Sequence, residues 1–329
     1  MTKRVLTGIQ SSGVPHIGNY LGAIRPALEH AKESEGFFFI ANYHSLTTTR
    51  DRSQMLAQSL DVAATWLALG LDPERTVLWN QSDVPEVCEL AWILGCLTSK
   101  GMLDKAHAFK DAVAKGKKDV TAGLYTYPVL MAADILAFGT NVVPVGKDQK
   151  QHVEMTRDIA QRFNNVFGET LVLPEPYIVE NMAVIPGLDG QKMSKSYNNT
   201  VELFLPRKKL RKKLMGIKTD STPVEDPKNP DVCNVFALYK LFSTAEEQAD
   251  LGDRYRAGGL GYGHAKHELV QVMDRHLAEP RERYEELKAN PEEILTVLRH
   301  GAERARKVAR ETLDEVRDRT GLLLSRDIS

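Results

Sequence analysis

Apolar segments of strand length alternate with amphipathic segments of helix length along the first two-thirds of the chain. The segments "RVLTGIQ", "GFFFIANY", "TVLWNQ" and "NVVPVG" are predicted strands, and the apolar run in "GFFFIANY" is typical of a sheet covered on both faces. Asp51 and Gln54 predict a capping box for a helix that runs to about Leu69, and Pro85 opens another helix. This alternation predicts an α/β fold with a doubly wound, parallel, Rossmann-like sheet, in which ligands bind beyond the carboxyl ends of the strands.

The strand pattern ends near residue 200, and the rest of the chain is predicted to be helical. The last helix is expected to begin with Asn290 as N-cap and Pro291 in its first turn, and to reach about Arg319. Its outer face is predicted to carry four basic residues, Arg304, Arg306, Lys307 and Arg310. We therefore predict a nucleotide-binding domain at 1–199 and a smaller all-helical domain at 200–329, whose last helix is a candidate to pack back on the first domain.

Composition narrows the classes of protein that the chain can be. With 43 basic and 44 acidic residues, the whole chain has no strong attraction for nucleic acid. No apolar run reaches the length of a membrane span, and the N-terminus lacks the apolar segment of a secretory signal. Cys88, Cys96 and Cys233 have no CxxC spacing, which is typical of thiols in a reducing compartment. A cytoplasmic protein that does not enter a membrane is expected.

One segment carries a local excess of positive charge. Residues 207–218, "RKKLRKKLMGIK", contain seven basic residues and no acidic one. A solvated helix face explains such a run, and so does contact with the phosphate backbone of a nucleic acid, which needs only a local excess. The charge pattern leaves both explanations open.

Residues 16–19, "HIGN", lie where the first predicted strand passes into a helix. His16 and Asn19 offer hydrogen-bond donors to a phosphate, and Gly18 lets a ring or a phosphate approach the backbone. The free N–H groups at a helix start also favour anions. The same residues occur in ordinary helix caps and tight turns, so this segment by itself does not decide between the two explanations.

Residues 192–196, "KMSKS", place Lys192 and Lys195 on either side of a serine, with Gly187 and Gly190 just before them. Lysine is a mobile point charge that suits a triphosphate whose negative charge shifts during a reaction. The two glycines are expected to let the segment move. The alternative is an exposed polar loop.

Together, the HIGN and KMSKS segments resemble the signature pair of the class I aminoacyl-tRNA synthetases. Residues 124–152, "LYTYPVLMAADILAFGTNVVPVGKDQKQH", and the start "TGIQSSGVPHIGNYLGAIR" resemble the bacterial tryptophanyl-tRNA synthetase family, and the resemblance extends along nearly the whole chain. It implies a ligase of protein biosynthesis that activates L-tryptophan with ATP and then transfers the tryptophanyl group from the adenylate to tRNA(Trp). It also implies a homodimer and Mg²⁺ held by the ATP phosphates, without a protein metal site.

The resemblance further implies which residues form the site. The catalytic residues are His16, Lys192 and Lys195. The ATP-binding residues are Gln10, Ser11, Ser12, Gly18, Asn19, Gly146, Lys147, Asp148, Val184, Lys192, Met193, Ser194, Lys195 and Ser196. The tryptophan-binding residues are Asp134, Tyr127, Met131, Gln149, Val143, Val145 and His44. The helical region beyond residue 200, with its basic run, is implied to contact the tRNA and its anticodon.

Asp134 fits this assignment by its chemistry. Indole presents one N–H donor and no acceptor, so an acceptor-only carboxylate is a suitable partner. Within the apolar segment "LMAADILAF", Asp134 is expected to be an unpaired acid in need of a donor. The alternative is that Asp134 faces solvent on its helix.

Several residues depart from the family pattern or have simpler explanations. Ser11, Lys147 and Tyr197 replace the proline, glutamate and acid that the family commonly has at these positions. Four lysines stand in a loop where one could reach pyrophosphate, namely Lys110, Lys115, Lys117 and Lys118. Two histidines and two tryptophans are interpreted as structural, namely His264, His267, Trp66 and Trp92.

Three other functions stay open at this point. Tyrosine activation differs in substrate, because a phenol hydroxyl both donates and accepts. A non-catalytic RNA-binding or regulatory descendant of a synthetase has no reason to keep His16, Lys192 and Lys195 together. A general nucleotidyltransferase of the HxGH type would explain neither the KMSKS segment nor the helical region.

Overall fold

The apolar runs of the sequence form the centre of one parallel sheet. The computed structural model describes residues 3–11, 15–106, 110, 120–146, 149–178 and 185–322. In these residues the strands are β1 (Arg4–Ile9), β2 (Glu35–Ile40), β3 (Val77–Asn80), β4 (Val142–Val145) and β5 (Glu175–Ile178). They pair in parallel in the order β3-β2-β1-β4-β5. The predicted Rossmann-like α/β fold is confirmed, and the strand order reverses between β1 and β4, where such sheets bind ligands.

Helices surround this sheet and make up the chain beyond residue 206. Those before β5 are α1 (Ile17–Asn19), α2 (Arg25–Ala31), α3 (Asn42–Ser45), α4 (Arg52–Ala68), α5 (Glu86–Leu97), α6 (Lys100–Leu103), α7 (Ala122–Leu136) and α8 (Lys150–Phe167). Those after it are α9 (Arg207–Met215), α10 (Asn234–Tyr239), α11 (Ala245–Ala257), α12 (Tyr262–Ala289) and α13 (Pro291–Thr320). A π-helical segment, Tyr20–Ile24, joins α1 to α2. In the described ranges, no helix combines the length and the apolar character needed to cross a membrane.

Strand β5 is the element that the sequence did not predict. It is only four residues long and contains Pro176, which pairs with Val143 of β4 at the edge of the sheet. Proline lacks a backbone N–H and is tolerated on edge strands, but it lowers the strand signal of so short a segment. The strand is therefore recognised from its pairing with β4 in the structure and not from its own sequence.

The two faces of the sheet are covered by two separate apolar clusters. In β2, Phe38 and Ile40 belong to one cluster, whereas Phe37 and Phe39 belong to the other, as the two-residue period of a strand requires. The first cluster continues through α4 into α9–α13, and the second includes α5, α7 and α8. The helical region therefore shares its core with one face of the sheet.

Helix α13 crosses the edge of the sheet at β3. Ile294 and Leu298 belong to the first cluster and Ala305 to the second, so the helix passes from one face to the other. At the crossing point a Cβ on Gly301 would overlap the backbone carbonyl of Leu78 in β3. Glycine is needed here because the two backbones touch. The helix thus covers an edge strand that would otherwise expose unpaired peptide groups.

The basic face predicted for α13 is partly turned toward the protein. The side chains of Arg306 and Arg310 donate hydrogen bonds to the carboxylate of Glu86 in α5, and Arg317 donates to Glu89 of the same helix. Arg310 is exposed, as expected for the outer face, whereas Arg306 is half-buried, because helical periodicity does not show that acidic residues of α5 lie opposite.

The interpretation of both tryptophans as core residues holds for one of them. Trp66 is buried in α4, but Trp92 in α5 is 75% exposed. Cys88 and Cys96, four residues to either side of Trp92, are exposed on the same helix face. The prediction for Trp92 was wrong because α5 is apolar around most of its circumference, so its sequence does not identify the buried face.

Replacing Gly301 by alanine is expected to destabilise the fold. The added methyl group has no space between two backbones, and such overpacking costs about 1–3 kcal/mol of unfolding free energy. Gly263, in α12, is the matched control because a Cβ there meets no atom within 4 Å. Gly263→Ala should be neutral or stabilising by up to about 1 kcal/mol. Chemical denaturation of both variants tests this, and equal stabilities would contradict the close crossing of α13 and β3.

Candidate active site

His16 and Asn19 form a reciprocal cap at the start of α1. The backbone N–H of Asn19 donates to Nδ1 of His16 (3.3 Å), and the backbone N–H of His16 donates to the side-chain oxygen of Asn19 (3.0 Å). Because Nδ1 is the acceptor, the ring proton of a neutral His16 is on Nε2. The capping role weighed from the sequence is therefore present, and it leaves an N–H donor on the other side of the ring.

His16 is a neutral donor at physiological pH. The pKa of His16 is lowered to about 4, first by burial and then by the positive charge of Lys195, while the negative charge of Glu202 opposes the shift. A neutral imidazole still donates a hydrogen bond, but it brings no positive charge of its own to an anion. The positive charge near His16 comes from Lys195 instead.

The HIGN and KMSKS segments are in direct contact. The backbone N–H of Gly18 donates to the sulfur of Met193 (3.3 Å), and Met193 is buried. A Cβ on Gly18 would lie 2.9 Å from Nδ1 of His16 and 3.4 Å from the Cβ of Met193. Glycine is therefore required for the packing of the two segments, in addition to any ligand that approaches it.

The lysines of the KMSKS segment lie at the surface around this contact. Lys192 and Lys195 are exposed, and partial burial by neighbouring atoms lowers the pKa of Lys195. The hydroxyl groups of Ser194 and Ser196 are hydrogen-bonded to each other (2.8 Å) at a short 3₁₀ turn, Lys195–Tyr197. The loop presents two exposed cations, and the charge of Lys195 acts on His16.

The glycines before this loop serve close packing. A Cβ on Gly187 would overlap the side chain of Asn199, and one on Gly190 would overlap the side chain of Asn234. Gly190 also has a φ of +84°, a conformation that favours glycine. Close packing therefore explains why glycine stands at both positions, and the loop movement expected from the sequence is not needed to explain it.

The segment around Glu202 pairs with the backbone on both sides of His16. The Ile17 N–H donates to the Val201 oxygen (2.9 Å), and the Leu203 N–H donates to the Pro15 oxygen (3.1 Å).

Between these two bonds, Glu202 forms an ion pair with Lys213 of α9 (2.6 Å). Lys213 therefore belongs to the surroundings of His16, which the basic run did not reveal because its partner lies 11 residues earlier in the sequence.

The first loop agrees only partly with the ATP contacts predicted from the sequence. Gln10 is exposed at the end of β1. The hydroxyl of Ser11 is fully buried and donates to the hydroxyl of Ser45 (2.8 Å), while the Ser11 amide donates to the same oxygen (3.1 Å). The Ser11 side chain is bonded inside the protein, and the ATP contact of this residue stays a prediction. In place of the usual proline, Ser11 supplies a bond to α3.

Other predicted ATP-binding residues fall at the end of β4 or outside the described ranges. Gly146 follows β4 directly and is half-buried. Four others lie outside the residues that the structure describes, namely Ser12, Lys147, Asp148 and Val184. The same applies to three lysines of the predicted pyrophosphate loop, Lys115, Lys117 and Lys118, whereas Lys110 is exposed.

Asp134 is a buried, hydrogen-bonded carboxylate at the carboxyl ends of the strands. It is 2% exposed, which excludes the solvent-facing alternative. His44 Nε2 bonds its Oδ2 (2.8 Å), and the side-chain amide of Gln81 donates to both oxygens (2.8 Å each). Burial raises the pKa of Asp134, and the hydrogen bonds from His44 and Gln81 oppose this shift.

The expectation that Asp134 is unpaired was wrong, because side chains from the ends of two strands bond it. His44 follows β2 in α3, and Gln81 follows β3 directly. Gln81 was missed, although its place at the end of the predicted strand "TVLWNQ" was a usable signal. A carboxylate has about four lone-pair positions, so Oδ1, with one bond, retains acceptor capacity.

The other predicted tryptophan-binding residues lie on α7, on β4 and just before α8, apart from His44 of α3. Tyr127, Met131 and Asp134 are spaced to share one face of α7. The Tyr127 hydroxyl is hydrogen-bonded to His152, a residue that was not predicted, and its ring packs edge-on against His44 at 6.0 Å. Val143 and Val145 are buried in β4, and Gln149 is exposed just before α8. Val143 and Val145 belong to the second apolar cluster, and Met131 packs against it. A buried acceptor together with apolar side chains suits a flat, mostly apolar ligand with one donor.

A comparison with known proteins places this chain in a family. The family model described as tRNA synthetases class I (W and Y) matches residues 2–278. The chain belongs to this family of class I tRNA synthetases.

Similar proteins include tryptophan–tRNA ligases of several bacteria. The tryptophan–tRNA ligase of Campylobacter jejuni is 49% identical over 319 residues, 97% of this chain and 100% of that protein. The corresponding ligase of Neisseria meningitidis is 50% identical over 330 residues, 97% of this chain and 98% of that one.

Solved structures agree with these relatives. The C. jejuni tryptophanyl-tRNA synthetase complexed with ADP and tryptophan has a TM-score of 0.92 at 49% identity, covering 97% of this chain and 99% of that one. The Mycoplasma pneumoniae enzyme has a TM-score of 0.84 at 33% identity, with full coverage of both chains.

The low pKa of His16 is open to direct measurement. We expect the ring of His16 to titrate near pH 4 instead of its ordinary value near 6.5. The folded state then binds fewer protons than the unfolded chain between these values, so this residue lowers stability as the pH falls from 6.5 to 4. NMR titration of the imidazole C–H signals, assigned with His16→Gln, measures the pKa. Titration near pH 6.5 would contradict the buried, neutral state.

Proposed function

We propose that the chain activates L-tryptophan with ATP to give tryptophanyl-adenylate and pyrophosphate, and then transfers the tryptophanyl group to tRNA(Trp). The observation that carries this proposal is that two groups follow the carboxyl ends of parallel strands. Asp134 is bonded by His44 and Gln81, which follow β2 and β3, and the HIGN–KMSKS contact follows β1. The relatives named tryptophan–tRNA ligases support the same conclusion.

The pocket around Asp134 selects for one hydrogen-bond donor on an apolar ring. The indole N–H donates to the free acceptor position on Asp134, while His44 and Gln81 keep the carboxylate in place. The side chains of Met131, Val143 and Val145 supply the apolar walls, and Tyr127 and Gln149 are proposed to hold the substrate's amino group. A pocket built on one buried polar contact discriminates strongly against ligands that lack the matching donor.

The activation step needs little covalent chemistry from the protein. An oxygen of the tryptophan carboxylate attacks the α-phosphorus of ATP, the bond from that phosphorus to the bridging oxygen breaks, and pyrophosphate leaves with the electron pair. The protein orients the reactants and stabilises charge. In this proposal His16 donates from Nε2 to a phosphate oxygen, and Lys192 and Lys195 balance the charge of the leaving pyrophosphate.

The remaining ATP contacts stay proposals of the same kind. The described candidates are Gln10, Gly18, Asn19, Gly146, Met193, Ser194 and Ser196, and those outside the described ranges are Ser12, Lys147, Asp148 and Val184. Mg²⁺ would be held by the ATP phosphates and would neutralise part of their charge. Among the described residues, no group of three or more His, Cys, Asp and Glu side chains could hold a metal ion.

The tRNA is proposed to contact the helical region, residues 200–329, through α9. Leu210 and Leu214 fix α9 on the core, which turns Lys208, Lys209 and Lys212 outward. Of these described lysines, none takes part in an ion pair within the protein. Their charges are therefore available to phosphates. Activation is assigned to residues 1–199 in this proposal.

The exposed face of α5 supports the proposal of a homodimer. Trp92 presents a large apolar surface between Cys88 and Cys96, and large aromatic residues of this kind are enriched at protein interfaces. A second copy of the chain would cover this face. The free state of all three cysteines supports a location in the reducing cytoplasm.

Asp134→Asn tests the tryptophan pocket. An amide keeps the size of the side chain but loses the charge, and it turns one NH₂ group toward His44 or Gln81. We expect kcat/KM for tryptophan to fall about 10- to 100-fold, the range for a lost charged hydrogen bond, with little change in KM for ATP. Asp104→Asn, which changes an exposed pair with Lys100, is the control. Tryptophan-dependent ATP–pyrophosphate exchange measures these constants, and a preference of the parent chain for tyrosine would overturn the substrate assignment.

Lys208→Glu combined with Lys212→Glu tests the tRNA contact. These residues lie one helical turn apart on the outer face of α9, so their reversal should weaken aminoacylation and leave pyrophosphate exchange unchanged. The slope of log(kcat/KM) for tRNA against log[salt] should fall by about 2, one for each lost phosphate contact.

Lys213→Met is the comparison, because Lys213 pairs with Glu202 beside His16 and should affect both assays. Equal losses in both assays for the outward pair would remove α9 from the tRNA site.

A further inference from the structure

Asn199 makes a complete set of hydrogen bonds inside the KMSKS loop. It is 3% exposed, and its side-chain oxygen accepts from the backbone N–H of Ser194 (2.8 Å). Its side-chain NH₂ group donates to the backbone oxygen of Lys192 (3.1 Å) and to the carboxylate of Asp189 (2.7 Å). The backbone partners fix which end of the amide is oxygen, because an N–H must face an acceptor and a carbonyl must face a donor.

These bonds bracket the residue that contacts the HIGN segment. Met193 lies between Lys192 and Ser194, and its sulfur accepts from the Gly18 N–H. The Met193 N–H donates to the backbone oxygen of Ile185 (2.8 Å). With both neighbours of Met193 held by one side chain, the backbone on either side of the methionine is fixed relative to α1, and the backbone from which Lys192 and Lys195 extend is anchored with it.

The surrounding chain is shaped to admit this amide. Gly187 has no Cβ, and any Cβ there would overlap the Asn199 side chain. The backbone oxygen of Asn199 accepts from the Leu188 N–H (3.0 Å), which closes the loop onto itself. The hydrogen bond from Asn199 also holds the pKa of Asp189 below its usual range, so that the third partner of the amide is a charged acceptor.

We propose that Asn199 is a positioning residue for the activation step. By bonding the backbone on both sides of Met193, it holds the loop so that Lys192 and Lys195 can reach the triphosphate of ATP. This inference rests on the proposed function for its substrate. It adds a residue outside the KMSKS segment whose action on ATP is indirect, through the loop backbone.

Asn199→Asp is the sharpest test of the clamp. The carboxylate still accepts from Ser194 N–H, but it cannot donate, and it faces the Lys192 carbonyl and the Asp189 carboxylate. Small displacements of positioned groups cost up to about 100-fold in rate, so kcat/KM for ATP in tryptophan-dependent exchange should fall by about 10- to 100-fold. The tryptophan Kd, measured by equilibrium dialysis without ATP, should remain within about twofold of the parent value.

Asn164 offers a matched control far from the loop. It is buried, accepts from the N–H groups of Thr170 and Leu171 and donates to the Leu171 oxygen, so it clamps a loop after α8 in the same manner. Asn164→Asp should lower thermal stability to a similar degree and leave kcat/KM for ATP unchanged. Adding Asp189→Asn to Asn199→Asp removes the repulsion between two carboxylates and should restore part of the ATP-specific loss.

Amide hydrogen exchange provides a readout that needs no activity. In the free chain, peptides covering 185–199 should exchange faster in Asn199→Asp than in the parent and remain unchanged in Asn164→Asp. Unchanged exchange of this segment, or unchanged ATP kinetics in an active Asn199→Asp variant, would overturn the clamp. So would an equal ATP-specific loss in Asn164→Asp. Absence of tryptophan-dependent exchange in the parent chain would instead reject the proposed function, and the hydrogen exchange comparison would still decide on Asn199.

Discussion

Asp134 is a carboxylate that the fold has taken out of water, and the organisation of the site follows from what such a group requires. An ionised carboxylate in the interior is stable only when hydrogen bonds replace its hydration. Here they come from His44 after β2 and Gln81 after β3, while Asp134 itself lies on α7. Three elements that are distant in sequence must converge at one end of the sheet. The carboxylate that we propose to bind the indole N–H is thereby part of what holds that end together.

The second half of the site divides its tasks between a neutral group and mobile charges. One ring nitrogen of His16 accepts a hydrogen bond from the Asn19 N–H, and the ring stays uncharged. It can therefore donate a hydrogen bond from its other nitrogen without repelling Lys195. Lys192 and Lys195 carry the charge on flexible side chains whose backbone is anchored. Fixed backbone with flexible charged ends fits a substrate whose negative charge moves from one phosphate to another during the reaction.

Local signals in the sequence predicted strands β1 to β4 and the two motifs, because an apolar run or a short polar cluster is visible in a few adjacent residues. What failed depended on partners far away in the chain. Trp92 was placed in the core because α5 is apolar around much of its surface, and the bond from the Ser11 hydroxyl to Ser45 was not predicted. In the sequence, Lys213 is one of the seven basic residues of the run 207–218, and only the structure shows its ion pair with Glu202. No periodicity within a single segment encodes such pairings.

The crossing of α13 over β3 has a consequence for biosynthesis. The sheet is made of residues synthesised early, yet the helix that covers its β3 edge is synthesised more than 200 residues later, where Gly301 meets Leu78. During translation this edge strand remains open to other chains for the time that the helical region takes to emerge. The β3 edge is therefore covered only late in translation. Truncated chains that end before α13 would leave this edge strand exposed and would be the most prone to aggregate.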